Sequence, residues 1–297
     1  MAFPINATFI DEITYDIVPQ YWSKKDWSND LDNMKNVGIN TLVIMRSIFY
    51  GKMIYDSDVF NYKKTFDYDF IDFILSEAQK RDMKVFIGLH IKDLTWGDGD
   101  YEYELKQNKI FIKEILDKYE KYSSFIGWYI PHEAGSLIYN FKETLDVMCK
   151  YCKEVTPDKL VIISPFFRGQ NYYPQPLTPK ETYDVWDVLF KDSGEYIDIC
   201  AFQDGTCLLS DYEAYFNEAK KICDKYNVSL WANIETFERD EKSTFPPIDF
   251  DVLKHKISMA KKYVSGMITF EFSHFLSPNS IYEKAKENNK LYIKEYK

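Results

Sequence analysis

Histidine is scarce in this chain, four residues in 297, and no two of them form a His-x-His pair. A metal-dependent barrel hydrolase or isomerase builds its centre from imidazoles and carboxylates at ligand spacing, so that class has the least support, and no metal or organic cofactor is expected. Long apolar runs are missing too. None approaches the roughly 18–20 residues needed to cross a bilayer, which argues against a membrane partner. Basic residues are outnumbered by acidic ones, 37 to 47, for a net charge of −10. Binding a phosphate backbone needs a concentrated basic surface, so nucleic acid is not an expected partner. The five cysteines are odd in number and irregularly spaced, which suits a reducing compartment better than a disulfide framework. The opening MAFPINATFIDEI lacks the basic-then-apolar layout of a secretion signal and enters an apparent strand almost at once. The expectation is a cytoplasmic chain, or one whose leader has already been removed. No Gly/Ser/Pro-rich linker and no low-complexity tract divides the sequence, so a single catalytic domain over residues 1–297 is expected. Oligomeric state is not legible.

What is present is a balance of 45% apolar and 28% charged residues, that of an ordinary globular protein with a real core. Aromatics reach 18%. Compositional bias and a cleft lined with ring platforms account for them equally well. Along the chain a short apolar run alternates with an amphipathic stretch. The runs are ATFIDEI (7–13), TLVIMRS (41–47), KVFIGLHI (84–91), FIGWYIPHE (125–133), KLVIISPFF (159–167), IDICAFQDG (197–205), SLWANIETF (229–237) and GMITFEFSHF (266–275). Helical periodicity fills the gaps, at 26–38 with Trp27, Leu31, Met34 and Val37 on one face, at 67–82, and at about 103–121, 141–155, 181–191, 212–226, 249–264 and 280–296. Continuously apolar strands are those covered on both faces, as in parallel sheets. Strands alternating with helices make β-α-β units, and eight such units in about 300 residues predict a (β/α)8 barrel. A doubly wound open sheet is the alternative, but it usually carries a glycine-rich turn after strand one, and FIDEITYDIVPQ has none.

A barrel of this kind does its chemistry at the C-terminal ends of the strands. Those tips carry Asp11 and Glu12, Arg46, His90, His132 and Glu133, Arg168, Gln203 and Asp204, Asn233 and Glu235, and Glu271 and His274 in strand order. A polar group at one tip means little; polar groups at nearly every tip ring one cavity. Glu133 follows WYIP and Glu235 follows LWANI, so each carboxylate caps a wholly apolar approach. Half-burial raises a carboxylate's pKa unless a positive or hydrogen-bonding neighbour opposes it, and His132, Asn233 and the arginines are candidates for that neighbour. The plainer reading has each glutamate bracing the barrel mouth through Arg46 or Arg168. Two facing carboxylates suit glycoside hydrolysis, one protonating the departing oxygen and the other attacking the anomeric carbon or activating water.

In these features the sequence resembles the retaining glycoside hydrolases on (β/α)8 barrels known as clan A. GWYIPHE and LWANIE stand where that clan carries its acid/base and its nucleophile. The resemblance therefore implies Glu133 as acid/base and Glu235 as nucleophile. The clan usually places Asn immediately before the acid/base to bind a sugar 2-hydroxyl; here the residue is His132. The chain is also similar to an uncharacterised bacterial family of glycoside-hydrolase-like barrels, a domain of unknown function. That likeness rests on TFIDE, DLDNMKNVGINTLVI, QDG after strand six, WANIETF, and SHFLSP after strand eight. It implies a glycosidase acting on a carbohydrate, with the sugar unspecified. A carbohydrate-binding barrel without turnover would present a similar ring.

Other candidates complete the expected substrate site. Arg46 could hold the nucleophile ionised. His90 could line the sugar site or be a satisfied core histidine. Asp204, in AFQDG beside Gln203, could bind a hydroxyl, tune Glu235 or simply cap a turn. Trp96, in KDLTWGDGD, is a candidate stacking platform and Trp231 a candidate substrate-binding residue, while His274 could reach the sugar and Asn233 and Arg168 line its cleft. The acids of that same loop, Asp93, Asp98 and Asp100, lack EF-hand spacing and read as a solvated loop. CKYC (149–152) falls within a helix without a second pair, so packing is its expected role. FRGQNYYPQPLTP (167–179) is expected to wall the cleft.

Overall fold

The computed structural model describes residues 3–14, 20–92, 101–135, 141–238 and 245–297. Each of the eight apolar runs contains one barrel strand: β1 (Ala7–Ile10), β2 (Thr41–Ile44), β3 (Lys84–Gly88), β4 (Phe125–Ile130), β5 (Leu160–Ile163), β6 (Ile199–Gln203), β7 (Ser229–Glu235) and β8 (Gly266–Phe270). All pair in parallel with their chain neighbours, and β1 pairs with β8 to close the ring. Outside lie α1 (Lys24–Asn36), α2 (Phe70–Lys80), α3 (Tyr101–Tyr119), α4 (Phe141–Val155), α5 (Pro179–Ser193), α6 (Tyr212–Lys225) and α7 (Phe250–Ala260). A one-turn helix α8 (Phe272–Phe275) and the longer α9 (Glu283–Tyr296) follow β8. The chain is a (β/α)8 barrel.

The period of two along a strand sorts its residues between two cores. Inward positions such as Phe9, Val43, Phe86, Tyr129, Ile162, Ala201 and Ile268 fill the barrel axis. Outward ones, among them Leu42, Ile87, Trp128, Val161, Phe202 and Ile234, join Trp27, Leu31, Leu75 and Trp186 of the helices in the larger outer core. Local sequence starts the helices where expected. Ser23 with Asp26 and Thr178 with Glu181 each form a reciprocal capping box, and Asp69 accepts the Asp72 amide at the head of α2.

Two parts of the fold differ from the sequence expectation. A three-stranded side sheet of Ile48–Phe49, Lys52–Met53 and Lys63–Lys64 follows β2, its strands too short to leave a period in the sequence. The run 266–275 is not one strand either. It stops at Phe270, and the Phe272 amide donates to the Thr8 hydroxyl at 2.9 Å while α8 turns away. Cys149 and Cys152 are buried in α4 against the outer core, and all five cysteines are free thiols. Burial pushes the Cys149 and Cys152 thiols up, the opposite of what a reactive or metal-binding cysteine needs. Among the described residues no helix is long and apolar enough to cross a membrane.

Candidate active site

Polar side chains gather where the inward-facing alternation runs past the strand ends. Tyr129 and Glu133 share one face of β4 and its extension, and Trp231, Asn233 and Glu235 share one face of β7. A cavity of about 110 Å3 lies above the barrel axis, and its polar lining is Asp11, Thr14, Arg46, Glu133, Gln203, Asn233 and Glu235. Phe237, Phe245, Phe270 and Phe275 form an apolar wall. Glu133 and Glu235 therefore face one space, from β4 and β7.

Glu133 keeps 23% of its side-chain surface exposed. The Tyr129 hydroxyl donates to its Oε1 at 3.1 Å, and the Arg46 guanidinium stands 3.9 Å from its Oε2. Burial raises the Glu133 pKa above the ordinary glutamate value, and the Arg46 charge and the Tyr129 hydroxyl only partly offset it. Burial also lifts the Tyr129 phenol well above its usual range, so it remains a proton donor. Arg46 pairs with Asp11 at 3.3 Å and donates to the Thr14 hydroxyl at 2.7 Å. Its ion pairs thus run to Asp11 and to the acid/base candidate, where the sequence suggested the nucleophile. Asp11 in turn accepts the Ile13 and Thr14 amides.

Glu235 is fixed through its backbone. Its amide donates to Asp204 Oδ1 at 3.1 Å; Lys256 of α7 donates to the same oxygen at 2.8 Å, and the Tyr212 hydroxyl donates to Asp204 Oδ2 at 2.7 Å. Asp204 is fully buried. Its side-chain hydrogen bonds run to the Glu235 amide, Lys256 and Tyr212. Gly205 explains the QDG turn: a Cβ there would run into the Glu235 carboxylate, so glycine lets the turn lie against it. On the neighbouring strands Gln203 and Asn233 lie side by side in register. Ser164, just past β5, gathers both, its carbonyl accepting from Gln203 at 2.7 Å and its hydroxyl from Asn233 at 3.0 Å.

Several of the residues expected to contact a sugar are not among those lining this cavity. Trp231 sits two steps down β7 from Asn233, opposite Gly266 at the start of β8, where it fills the space a side chain would take. It belongs to the barrel-axis core. His274 is fully buried on α8 and paired with Glu271, whose other oxygen accepts the Asp11 amide at 3.1 Å. His90 and His132 are buried and converge on Glu104 of α3, at 3.5 and 3.9 Å. Burial alone would raise the Glu104 pKa; the two imidazoles outweigh it and bring the value to about 2. Arg168 is buried with its guanidinium 4.7 Å over the Tyr172 ring. Trp96, with Asp93, Asp98 and Asp100, lies outside the described residues. Among the described residues no cluster of three or more His, Cys, Asp or Glu is arranged to hold a metal ion.

The model of a family described as Domain of unknown function (DUF4434) matches residues 5–282. The chain belongs to that family. The crystal structure of a candidate α-L-fucosidase from Bacteroides thetaiotaomicron is 35% identical to the DUF4434 chain. The match covers 100% of this chain and 94% of that one, with a TM-score of 0.92. Two more distant structures share the fold. The intracellular xylanase TsXylA of Thermoanaerobacterium saccharolyticum is 15% identical over 91% of this chain and 85% of its own, at TM-score 0.56. A GH2 β-galacturonidase from Eisenbergiella tayi is 12% identical over 99% of this chain and 51% of its own, at TM-score 0.61. A search of curated proteins returned no match. The DUF4434 chain is a glycoside-hydrolase-like barrel.

Sequence reasoning missed the residues that support this DUF4434 site. Glu104 and Asn108 stand on the stripe that continues through Phe111, Ile112 and Ile115 of α3, at positions where the rest are apolar. Asn108 clamps the end of β3, exchanging hydrogen bonds of 2.9 Å with both backbone groups of His90. Lys256 stands likewise among Leu253, Ile257 and Ala260 of α7. A polar residue on an apolar stripe was the signal available.

Proposed function

We propose that this DUF4434 protein is a retaining glycosidase in which Glu133 is the acid/base and Glu235 the nucleophile. The observation that carries the reading is that two carboxylates, from β4 and β7, line one small cavity at the C-terminal mouth of the barrel. In the first step Glu235 attacks the anomeric carbon while Glu133 passes its proton to the departing glycosidic oxygen. In the second, Glu133, now a carboxylate, takes a proton from water as the water attacks and frees the sugar from Glu235. Burial suits Glu133 to hold the proton that the first step spends, and the hydroxyl of Tyr129 steadies the carboxylate left behind. Asn233 and Gln203, both turned into the cavity, are positioned to bind sugar hydroxyls. The name of the 35% identical structure makes α-L-fucosides the first substrates to try, and the four-phenylalanine wall would accept the methyl group of a 6-deoxy sugar.

The test is hydrolysis of a panel of aryl glycosides, α-L-fucoside first, with proton NMR of the first-formed anomer. Retention of configuration is expected. Glu235→Gln should lower turnover by on the order of 10^4-fold or more. Glu133→Gln should lower it by about 10^2–10^4-fold, least for the best leaving groups, which need no proton. No turnover of any glycoside, with sugar binding unaffected by either substitution, would favour a binding protein instead.

A further inference from the structure

Among the described residues, two adjoining spaces of unequal size meet at the carboxylates of the barrel mouth. The smaller is the cavity of about 110 Å3 above the axis. The larger, about 810 Å3, opens beside it toward the segment after β5 and the start of α7. Glu133, Gln203, Glu235 and Phe237 line both, so the two carboxylates stand on the boundary. A bond cleaved by that pair must cross the boundary, with a sugar on either side.

The two sides differ in size and chemistry. At the roughly 10–15 Å3 needed per water-sized group, the smaller space takes on the order of ten such groups, the bulk of a single monosaccharide. Its further polar walls, Asp11, Arg46 and Asn233, suit recognition of individual hydroxyls. The larger space adds rings and aliphatic groups, Phe166, Tyr172 and Val252 among them. Phe166 is half-buried, and the Tyr172 ring stacks on it at 5.5 Å and 20°. Arg168 also packs against Tyr172, its guanidinium 4.7 Å from the ring centre, so Tyr172 is held on two contacts where it backs the Phe166 ring.

We infer that the small cavity takes the one sugar that is released and the groove takes the rest of the chain, with Phe166 as its stacking platform. The enzyme is then exo-acting on oligosaccharides or polysaccharides. This rests on the glycosidase reading above. A glycosyl fluoride has no second sugar, so its turnover tests that reading alone. The wild-type protein is offered α- and β-fluorides of L-fucose, D-glucose, D-galactose and D-xylose, and then a tetrasaccharide or longer ending in the sugar it cleaves. Chromatography should show free monosaccharide as the small product from the first time point. Phe166→Ala should lower kcat/KM about five- to tenfold more on the oligosaccharide than on the fluoride, the effect of one lost ring contact. Early di- and trisaccharides overturn exo action while leaving the glycosidase reading intact. Turnover of the fluoride alone, or an equal loss on both substrates in the variant, overturns the groove assignment. No turnover of any fluoride sinks the glycosidase reading and this inference together.

Discussion

In the proposed mechanism Glu133 holds a proton in one step and loses it in the next, and its surroundings set where along the pH axis this exchange can run. Burial lifts its pKa; the Tyr129 hydroxyl and Arg46 pull it back. The ionised form gains from the Tyr129 hydrogen bond, so removing the hydroxyl leaves the carboxylate less stabilised and the pKa higher. Tyr129→Phe should therefore move the alkaline limb of the kcat/KM profile upward by about half to one pH unit, the worth of a hydrogen bond of about 1 kcal/mol. A downward move would contradict the acid role. Gly205 governs the other carboxylate by contact. Gly205→Ala drives a methyl group into Glu235 Oε2, and a displacement near 1 Å costs about 100-fold in rate. The expected result is that loss in kcat with a melting temperature close to wild type.

At the scale of elements, the helices carry the site's support on their buried faces. Asp30 of α1, Glu104 and Asn108 of α3, and Lys256 of α7 each take a place on an apolar stripe. Each reaches a loop that leaves a strand. Asp30 accepts from Ser273 and Ser277 after β8, and burial raises its pKa to about 7. Lys256 and Asp204 form a buried ion pair under Glu235. Lys256→Met leaves Asp204 a buried, uncompensated charge, which costs about 3–5 kcal/mol, read as a fall in the urea midpoint and accompanied by reduced turnover. An unchanged midpoint would mean the pair contributes nothing. Helix and strand positions were legible because their periods are long and regular, and the tips Glu133, Glu235, Arg46, Gln203 and Asn233 followed from the strand ends. The short side sheet was not, because two-residue strands carry no period. Nor was the inward or outward fate of His90, His132 and His274: each follows a strand end, where alternation lapses and partners distant in sequence, Glu104 and Glu271, decide the direction.

For the molecule as a whole, charge sets a limit on the substrate. A chain of net charge −10 presents a cavity with three carboxylates, Asp11, Glu133 and Glu235, against the guanidinium of Arg46. Even with Glu133 protonated the balance among the described lining residues is negative, and Arg46 is already engaged by Asp11. A uronic acid would add a like charge in a partly dehydrated space. Neutral glycosides should therefore exceed the matching uronides in kcat/KM by about tenfold or more, measured with paired aryl substrates; a preference for uronides would show that Arg46 is free to bind them. The ring itself is closed by partners far apart in the chain. Asp11 is fixed by Glu271, 260 residues downstream, Thr8 by Phe272, and the Ile5 amide by the Tyr292 hydroxyl at 3.0 Å. On the ribosome, seven strands can emerge and still leave the Asp11 amide without its Glu271 acceptor. The first polar tip to be synthesised has a backbone partner that is made almost last, so the barrel mouth is complete only when its final strand arrives.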